Sequence, residues 1–238
     1  MSFDALAIGA HPDDVELGCG GTLIGLVDRG YRVGLVDMTD GRLSTRGDPE
    51  TRMKEAEDAA RIIGAAERFQ LGFQEGSLQS GQGNLEALVA LLRRTRPQVV
   101  LAPYWEDRHP DHVDASRLVQ SACFWAGVPR YGAGDAPHRP HRLVYYFGHW
   151  VGPVSLVVDV SATFERKMQA VRAYRSQFQP EPSGEAATFI SRPEFLEGII
   201  SRARVYGSLT QVEYGEPFYV REMNRTDDLI AWARGQGA

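Results

Sequence analysis

Two short segments of the sequence combine histidine, aspartate and proline, and these residue types can do chemistry at a metal ion. The first is His11-Pro12-Asp13-Asp14 and the second is His109-Pro110-Asp111-His112. Two histidines and one carboxylate can bind catalytic zinc and leave positions open for water and substrate. The same ligand types form the triad that holds non-haem Fe(II), so they leave the choice of metal open. A further carboxylate could take a proton from water, which indicates a metal-dependent hydrolase.

Both segments follow apolar runs that predict buried β-strands, at Phe3–Gly9 and Val99–Ala102. Two more strands are predicted over Arg32–Met38 and Glu67–Leu71. Amphipathic patterns and their end signals predict helices over Leu17–Asp28, Pro49–Ile63, Leu85–Arg94 and Asp114–Ala126. Strands that alternate with helices predict an α/β fold with a mostly parallel, doubly wound, Rossmann-like sheet.

The expected strand order places the two segments at one crevice. In the common doubly wound order 3-2-1-4-5, strand 1 lies beside strand 4, and ligands bind outside the carboxyl ends of those strands. Each segment comes just after one of these two strands, so we expect them to share one divalent ion. A lone His-Pro-Asp segment would more simply be a strand-end turn whose aspartate caps a helix. Two such segments at adjacent positions favour the metal site.

The later part of the chain is predicted to be less regular. Its expected elements are strands at Leu143–Phe147 and Leu156–Val160, helices at Thr163–Tyr174 and Glu194–Tyr206, and a loop at Gln179–Gly184. We find no internal repeat, low-complexity tract or shift in composition. The sequence therefore predicts a single domain over residues 1–238 with an irregular C-terminal extension.

Charge and hydropathy exclude several classes of partner. The formal net charge of -5 argues against nucleic acid, whose phosphates require a basic surface. No apolar stretch approaches the roughly 20 residues needed to cross a bilayer, and the first residues lack the pattern of an export signal. Cys19 and Cys123 do not form a metal-binding or redox spacing and are expected to be buried small side chains. We expect a cytoplasmic protein.

The main alternative is a dinucleotide-binding protein, because Gly18-Cys19-Gly20-Gly21 is rich in glycine. The spacing is not G-x-G-x-x-G, however, and Asp13 and Asp14 would repel a pyrophosphate at that position. We interpret the glycines as sites of close helix–sheet packing. A non-catalytic module that binds metal or sugar is another alternative, but it would not need Asp13 and His109.

The sequence resembles the LmbE-like, or PIG-L-like, family of metal-dependent N-deacetylases. The matching segments are Gly9–Thr22, Thr39–Gly64, Asp107–His112, Tyr174–Phe178 and Arg202–Phe218, so the resemblance spans nearly the whole chain. Within the last segment, Arg204–Leu209 and Tyr214–Phe218 resemble the bacterial subfamily that deacetylates N-acetylglucosaminyl malate in bacillithiol biosynthesis.

The resemblance implies a role for each residue of the two segments. The metal ligands would be His11, Asp14 and His112. Asp13 would be the general base, and His109 would stabilise the oxyanion and protonate the leaving amine. Asp111 would orient His109. The resemblance implies zinc as the cofactor, with Fe(II) as the alternative.

Substrate contacts are also implied by the resemblance. Arg52 aligns with a family arginine at the rim of the active site, and His138 and Arg139 align with further contacts. Some relatives have a tyrosine at the position of Phe195, and the phenylalanine ring cannot donate a hydrogen bond as a tyrosine would. His149 is a separate candidate for the pocket lining. The implied substrate is a small N-acetylglucosamine glycoside, most simply the malyl glycoside. Alternatives are an inositol glycoside or a mercapturate-type amide, and the implied assembly is a homo-oligomer.

Overall fold

A computed structural model describes residues 2–132, 134–179 and 186–223. Its strands are β1 Ala5–Gly9, β2 Val33–Asp37, β3 Glu67–Gln70, β4 Val99–Pro103, β5 Arg142–Tyr146, β6 Leu156–Asp159 and β7 Gly215–Val220. Its helices are α1 Asp14–Asp28, α2 Pro49–Ile63, α3 Asn84–Thr95, α4 Pro110–Ala126, α5 Phe164–Ala173, α6 Arg175–Phe178 and α7 Pro193–Leu209. The prediction of a single domain over 1–238 stays a prediction.

The strands form one mixed sheet in the order β3-β2-β1-β4-β5-β7-β6. The first five strands are parallel and follow the predicted order 3-2-1-4-5. All five residues of β1 are buried, because helices cover both faces of the sheet. Leu6 and Ile8 pack in the core on one face, while Ala5 and Ala7 pack in the core on the other. The α/β prediction is confirmed.

The C-terminal part is more regular than predicted. It contributes β6, the unpredicted strand β7 and three helices, and β7 pairs antiparallel with both β5 and β6. Pro217 lies inside β7 opposite Val157, and proline is rare within a strand that has neighbours on both sides. Because of this proline, the sequence pattern did not predict a strand here. The prediction for Gln179–Gly184 falls almost wholly on residues outside the described ranges.

Helices α1 and α4 begin earlier than the apolar pattern predicts, at Asp14 and Pro110 instead of Leu17 and Asp114. Asp13 is the N-cap of α1 and has a left-handed backbone, with φ 107°. The two histidine–aspartate segments therefore lie at the N-terminal ends of two helices. Free N–H groups at a helix start favour carboxylates, so this position suits the acidic residues of both segments.

The glycines of α1 allow it to lie close to the sheet. A Cβ atom added at Gly18 would overlap the ring of Tyr146, a buried residue of β5. The glycine segment is inside α1, so the packing interpretation is confirmed and these glycines do not form the phosphate-binding loop that the dinucleotide alternative requires. Among the described helices, none has the length and apolar character needed to cross a membrane.

Candidate active site

A pocket of about 530 Å³ lies outside the carboxyl ends of β1 and β4. The residues of the two segments that line it are His11, Asp13, Asp14, His109, Pro110, Asp111 and His112. The structure therefore brings the two segments together, as the strand order predicted. Further lining comes from the loops after β2, β3 and β5, from Arg52 of α2, and from α7 with the residues just before it.

Asp14 is the link between the segments. One of its carboxylate oxygens is 3.5 Å from Nδ1 of His11, and the other is 3.1 Å from Nε2 of His112. Ring nitrogens of His11, His109 and His112 also lie within 4.8 Å of one another. This group of histidines, with Asp14 beside it, could hold a metal ion.

Two more carboxylates fix the protonation of the two histidines that contact Asp14. Asp107 is 3.1 Å from Nδ1 of His112, and Asp111 is 3.2 Å from Nε2 of His11. Because a carboxylate only accepts, both of those nitrogens carry hydrogen. The nitrogens facing Asp14 also carry hydrogen when no metal is bound, since Asp14 can only accept. A cation would displace those two protons and use the lone pairs of these nitrogens, which is the usual arrangement around a metal-binding histidine. The donor set of His11, Asp14 and His112 fits a divalent ion.

The electrostatics of the cluster favour positive charge at its centre. Burial alone would lower the pKa of His11, but Asp111 and Asp14 raise it to about 9. Burial likewise opposes protonation of His112, but Asp14 and Asp107 raise its pKa to about 10. Although burial opposes ionisation, His112 and His11 hold the pKa of Asp14 well below its usual range. The buried carboxylates thus stabilise positive charge at the centre of the cluster.

His109 differs from the other two histidines. Its Nδ1 accepts a hydrogen bond from the backbone N–H of Asp111 at 3.2 Å, so the ring proton is on Nε2. Burial and the neighbouring His11 lower its pKa to about 4, so the ring is neutral. The Asp111 carboxylate contacts His11 and the Gly76 N–H and not the His109 ring, so the implied orienting role belongs to the Asp111 backbone.

Asp13 lies in a buried site beside Arg52. The Arg52 guanidinium donates to the Asp13 carboxylate at 3.2 Å, to the Pro12 carbonyl and to the Ser44 hydroxyl. Burial raises the pKa of Asp13 to about 7, although Arg52 opposes this shift. A carboxyl group with a pKa near neutrality is well suited to accept and return a proton. Arg52 lines the pocket but is only 3% exposed, so it lies deep beside Asp13 and not at the outer rim.

His138 and Arg139 do not lie in this pocket. His138 donates from Nε2 to the Pro97 carbonyl at 2.7 Å, and Arg139 donates to the Phe124 carbonyl at 3.1 Å. Pro97 precedes β4, so these contacts lie at the amino ends of the strands, opposite the crevice. The prediction that the two residues contact substrate in this pocket is wrong.

Sequence reasoning missed the role of Asp107 and most of the apolar wall. Asp107 accepts from both the backbone N–H and the ring Nδ1 of His149, at 2.7 and 3.0 Å. Phe189 and Phe195 line the same side of the pocket, and Phe195 packs near His149 without a hydrogen-bonding group. The position of Asp107, two residues before His109, was the available signal.

Comparisons with known proteins agree with this architecture. The family model "PIG-L: GlcNAc-PI de-N-acetylase" matches residues 6–123. A diacetylchitobiose deacetylase from Thermococcus kodakarensis is 32% identical over 188 residues, 73% of this chain and 69% of that protein. A solved structure of a conserved protein from Thermus thermophilus has a TM-score of 0.86 and 38% identity, and the match covers 94% of this chain and 98% of that one. A Bacillus cereus protein named "Probable N-acetyl-alpha-D-glucosaminyl L-malate deacetylase 2" is 27% identical over 74% of this chain and 84% of its own length.

The fold and the site define an α/β protein with a histidine–carboxylate centre at the point where the winding of the sheet reverses. The chain belongs to the PIG-L family of de-N-acetylases and is an enzyme that hydrolyses amides.

Proposed function

We propose that this chain is a metal-dependent N-deacetylase that removes the acetyl group of an N-acetylglucosamine glycoside. The observation that carries the proposal is a buried carboxyl group, Asp13, placed beside the donor set of His11, Asp14 and His112. A module that only binds metal or sugar would need the donor set but not a base held by Arg52.

His11, Asp14 and His112 would hold the metal, through Nδ1, the carboxylate and Nε2 respectively. Zinc is the proposed ion because catalytic zinc sites combine three such ligands with an open position, and Fe(II) is the alternative. When bound, a divalent cation acts as a Lewis acid and lowers the pKa of water from about 15.7 towards about 7.

The chain's own residues would then move the protons. Asp13 accepts a proton from the attacking water, with its carboxylate held by Arg52. His109 donates a hydrogen bond from Nε2 to the carbonyl oxygen as negative charge develops there. A neutral imidazole does not readily give up its remaining proton, so the leaving nitrogen takes the proton from Asp13 when the C–N bond breaks. In this proposal Asp13, and not His109, protonates the amine.

N-acetylglucosaminyl malate is the proposed substrate. Arg108 is exposed at the pocket, and its guanidinium lies 4.5 Å from the centre of the Phe189 ring, where it could meet an anionic aglycone. The Bacillus cereus relative supports the same choice. N,N'-diacetylchitobiose is a second candidate, favoured by the Thermococcus relative and by the aromatic wall. The homo-oligomer and the cytoplasmic location stay predictions.

The proposal is tested by acetate release from a panel of amides. The panel contains free N-acetylglucosamine, the malyl and inositol glycosides, diacetylchitobiose and a mercapturate, each assayed with chelated, zinc-loaded and iron-loaded protein. We expect metal-dependent release, with the highest kcat/KM for the malyl glycoside. A preference for diacetylchitobiose would replace the malate proposal, while no release from any sugar would refute the function.

Replacing Arg52 by alanine is expected to lower kcat by about tenfold or more for free sugar and malyl glycoside alike. The Arg52 guanidinium donates hydrogen bonds to Asp13, Pro12 and Ser44. Its loss should therefore displace the base, Asp13, whichever substrate is bound. Steady-state kinetics on both substrates checks this, with Arg139→Ala as the control because Arg139 lies far from the pocket. An increase in KM confined to the malyl glycoside would instead restore Arg52 to the substrate-binding role.

A further inference from the structure

His149 faces the pocket with one ring nitrogen that the proposed reaction does not use. It follows β5 and is held by Asp107, which accepts from its backbone N–H at 2.7 Å and from its Nδ1 at 3.0 Å. Its side chain is 17% exposed and lines the pocket. Two hydrogen bonds to one buried carboxylate therefore fix the orientation of this ring.

The shared carboxylate also fixes where the His149 proton lies. The same Asp107 oxygen accepts from Nδ1 of His112 and from Nδ1 of His149. Both Nδ1 atoms carry hydrogen, so in the neutral form of His149 the Nε2 atom presents a lone pair. Nε2 of His112 faces Asp14 instead and belongs to the metal donor set. Nε2 of His149 has no hydrogen-bond partner within the described residues, which leaves an acceptor directed away from Asp107.

The side chains that pack around the His149 ring are aromatic. The His149 ring is nearly parallel to His112, with centroids 5.6 Å apart, and lies 5.9 Å from Phe189 and 6.2 Å from Phe195. Phe189 is 53% exposed, so its ring is available to a ligand. An apolar wall with one fixed polar group is how binding pockets orient small ligands. A sugar has both complementary parts, since its C–H groups can contact aromatic rings and its hydroxyls can donate.

We propose that Nε2 of His149 accepts a hydrogen bond from a sugar hydroxyl of the substrate, while the Phe189 and Phe195 rings contact the apolar face of the sugar. This inference rests on the proposed function and names a specificity-determining residue for it. His149 would act on a part of the substrate that does not react. Its loss should therefore raise KM with little change in kcat.

Two variants separate the role of Nε2, which faces the pocket, from the role of Nδ1, which contacts Asp107. His149→Asn keeps an amide N–H near the position of Nδ1 but lacks an acceptor at Nε2, and His149→Gln extends an amide oxygen towards Nε2. We expect His149→Asn to raise KM for the acetylated glycoside about tenfold and to change kcat by less than about twofold, with unchanged metal content. His149→Gln should recover part of the lost affinity.

Deoxy analogues of N-acetylglucosamine identify the hydroxyl. With the wild type, one of the 3-, 4- and 6-deoxy sugars should show a KM about tenfold higher, and the same sugar should show no further increase with His149→Asn. Unchanged KM in His149→Asn would overturn the inference. A fall in kcat and metal content without a KM change would also overturn it, because His149 would then act only through Asp107.

Failure of the proposed function can be told apart from failure of this inference. If the wild type releases acetate and His149→Asn matches it, the function stands and the inference fails. If the wild type releases no acetate from the panel, the function fails, and calorimetric binding of N-acetylglucosamine decides the inference. Weaker binding by His149→Asn would support it, while equal binding, or no binding by the wild type, would overturn it.

Discussion

Replacing Asp13 by asparagine is expected to leave the metal content unchanged and to slow acetate release by about 10²–10⁴-fold, the range for loss of a general base. The amide matches the carboxylate in size but cannot accept the proton of the attacking water. Asparagine also tolerates a left-handed backbone, so the φ of 107° at this position should persist. Steady-state kinetics and elemental analysis of the same preparation measure the two quantities.

Asp13→Ala separates the chemical role of this residue from its backbone role. We expect the same loss of turnover and an added loss of about 1 kcal/mol in the free energy of unfolding, because alanine tolerates the left-handed region poorly. Urea denaturation checks the second value. Turnover near that of the wild type in Asp13→Asn would reassign the base, and Glu75, which lines the pocket 3.8 Å from His11, would be the next candidate.

The order of the parallel strands could be predicted because each strand has a simple physical signature. Ala5–Gly9 and Val33–Asp37 are buried throughout, so their sequences, apart from Asp37, are continuous apolar runs. Alternation with helices and the short connections then leave few possible sheet orders. This topology was enough to predict that the two histidine segments meet, without knowledge of any side-chain position.

The starts of α1 and α4 could not be predicted from apolar periodicity. Their first turns contain Asp14 and Asp111, whose carboxylates face the site and not the core. A pattern based on burial therefore begins one turn late. Pro110 at the first helical position was the clearest signal for α4.

Side-chain pairing within the site depended on tertiary contacts between separate loops. Arg52 is buried beside Asp13, and Asp107 contacts both His112 and His149. These contacts join residues that are far apart in the chain. The wrong placement of His138 and Arg139 was avoidable, because residues just before a parallel strand lie at its amino end. The topological argument that predicted the crevice also excludes them from it.

Replacing Asp14 by alanine is expected to remove metal binding and to reduce acetate release to background. Asp14 contacts both His11 and His112, so its loss removes one ligand and the contact that joins the other two. Zinc at 100 times its Kd should stabilise the wild type against unfolding by about 2.7 kcal/mol and should not stabilise the variant. Thermal denaturation with and without zinc, together with elemental analysis, measures the difference.

Further variants test the ligand set of His11, Asp14 and His112 against the three-histidine set of His11, His109 and His112. Asp107→Asn removes the carboxylate behind His112 and should weaken metal binding by about 10–100-fold, while His138→Ala should change neither metal binding nor turnover.

His109→Ala should keep the metal but lose the donor to the carbonyl oxygen, which costs about 10²–10³-fold in kcat. If His109→Ala lost the metal while Asp14→Ala kept it, the ligands would be the three imidazoles of His11, His109 and His112. Asp14 would then serve only to orient two of them.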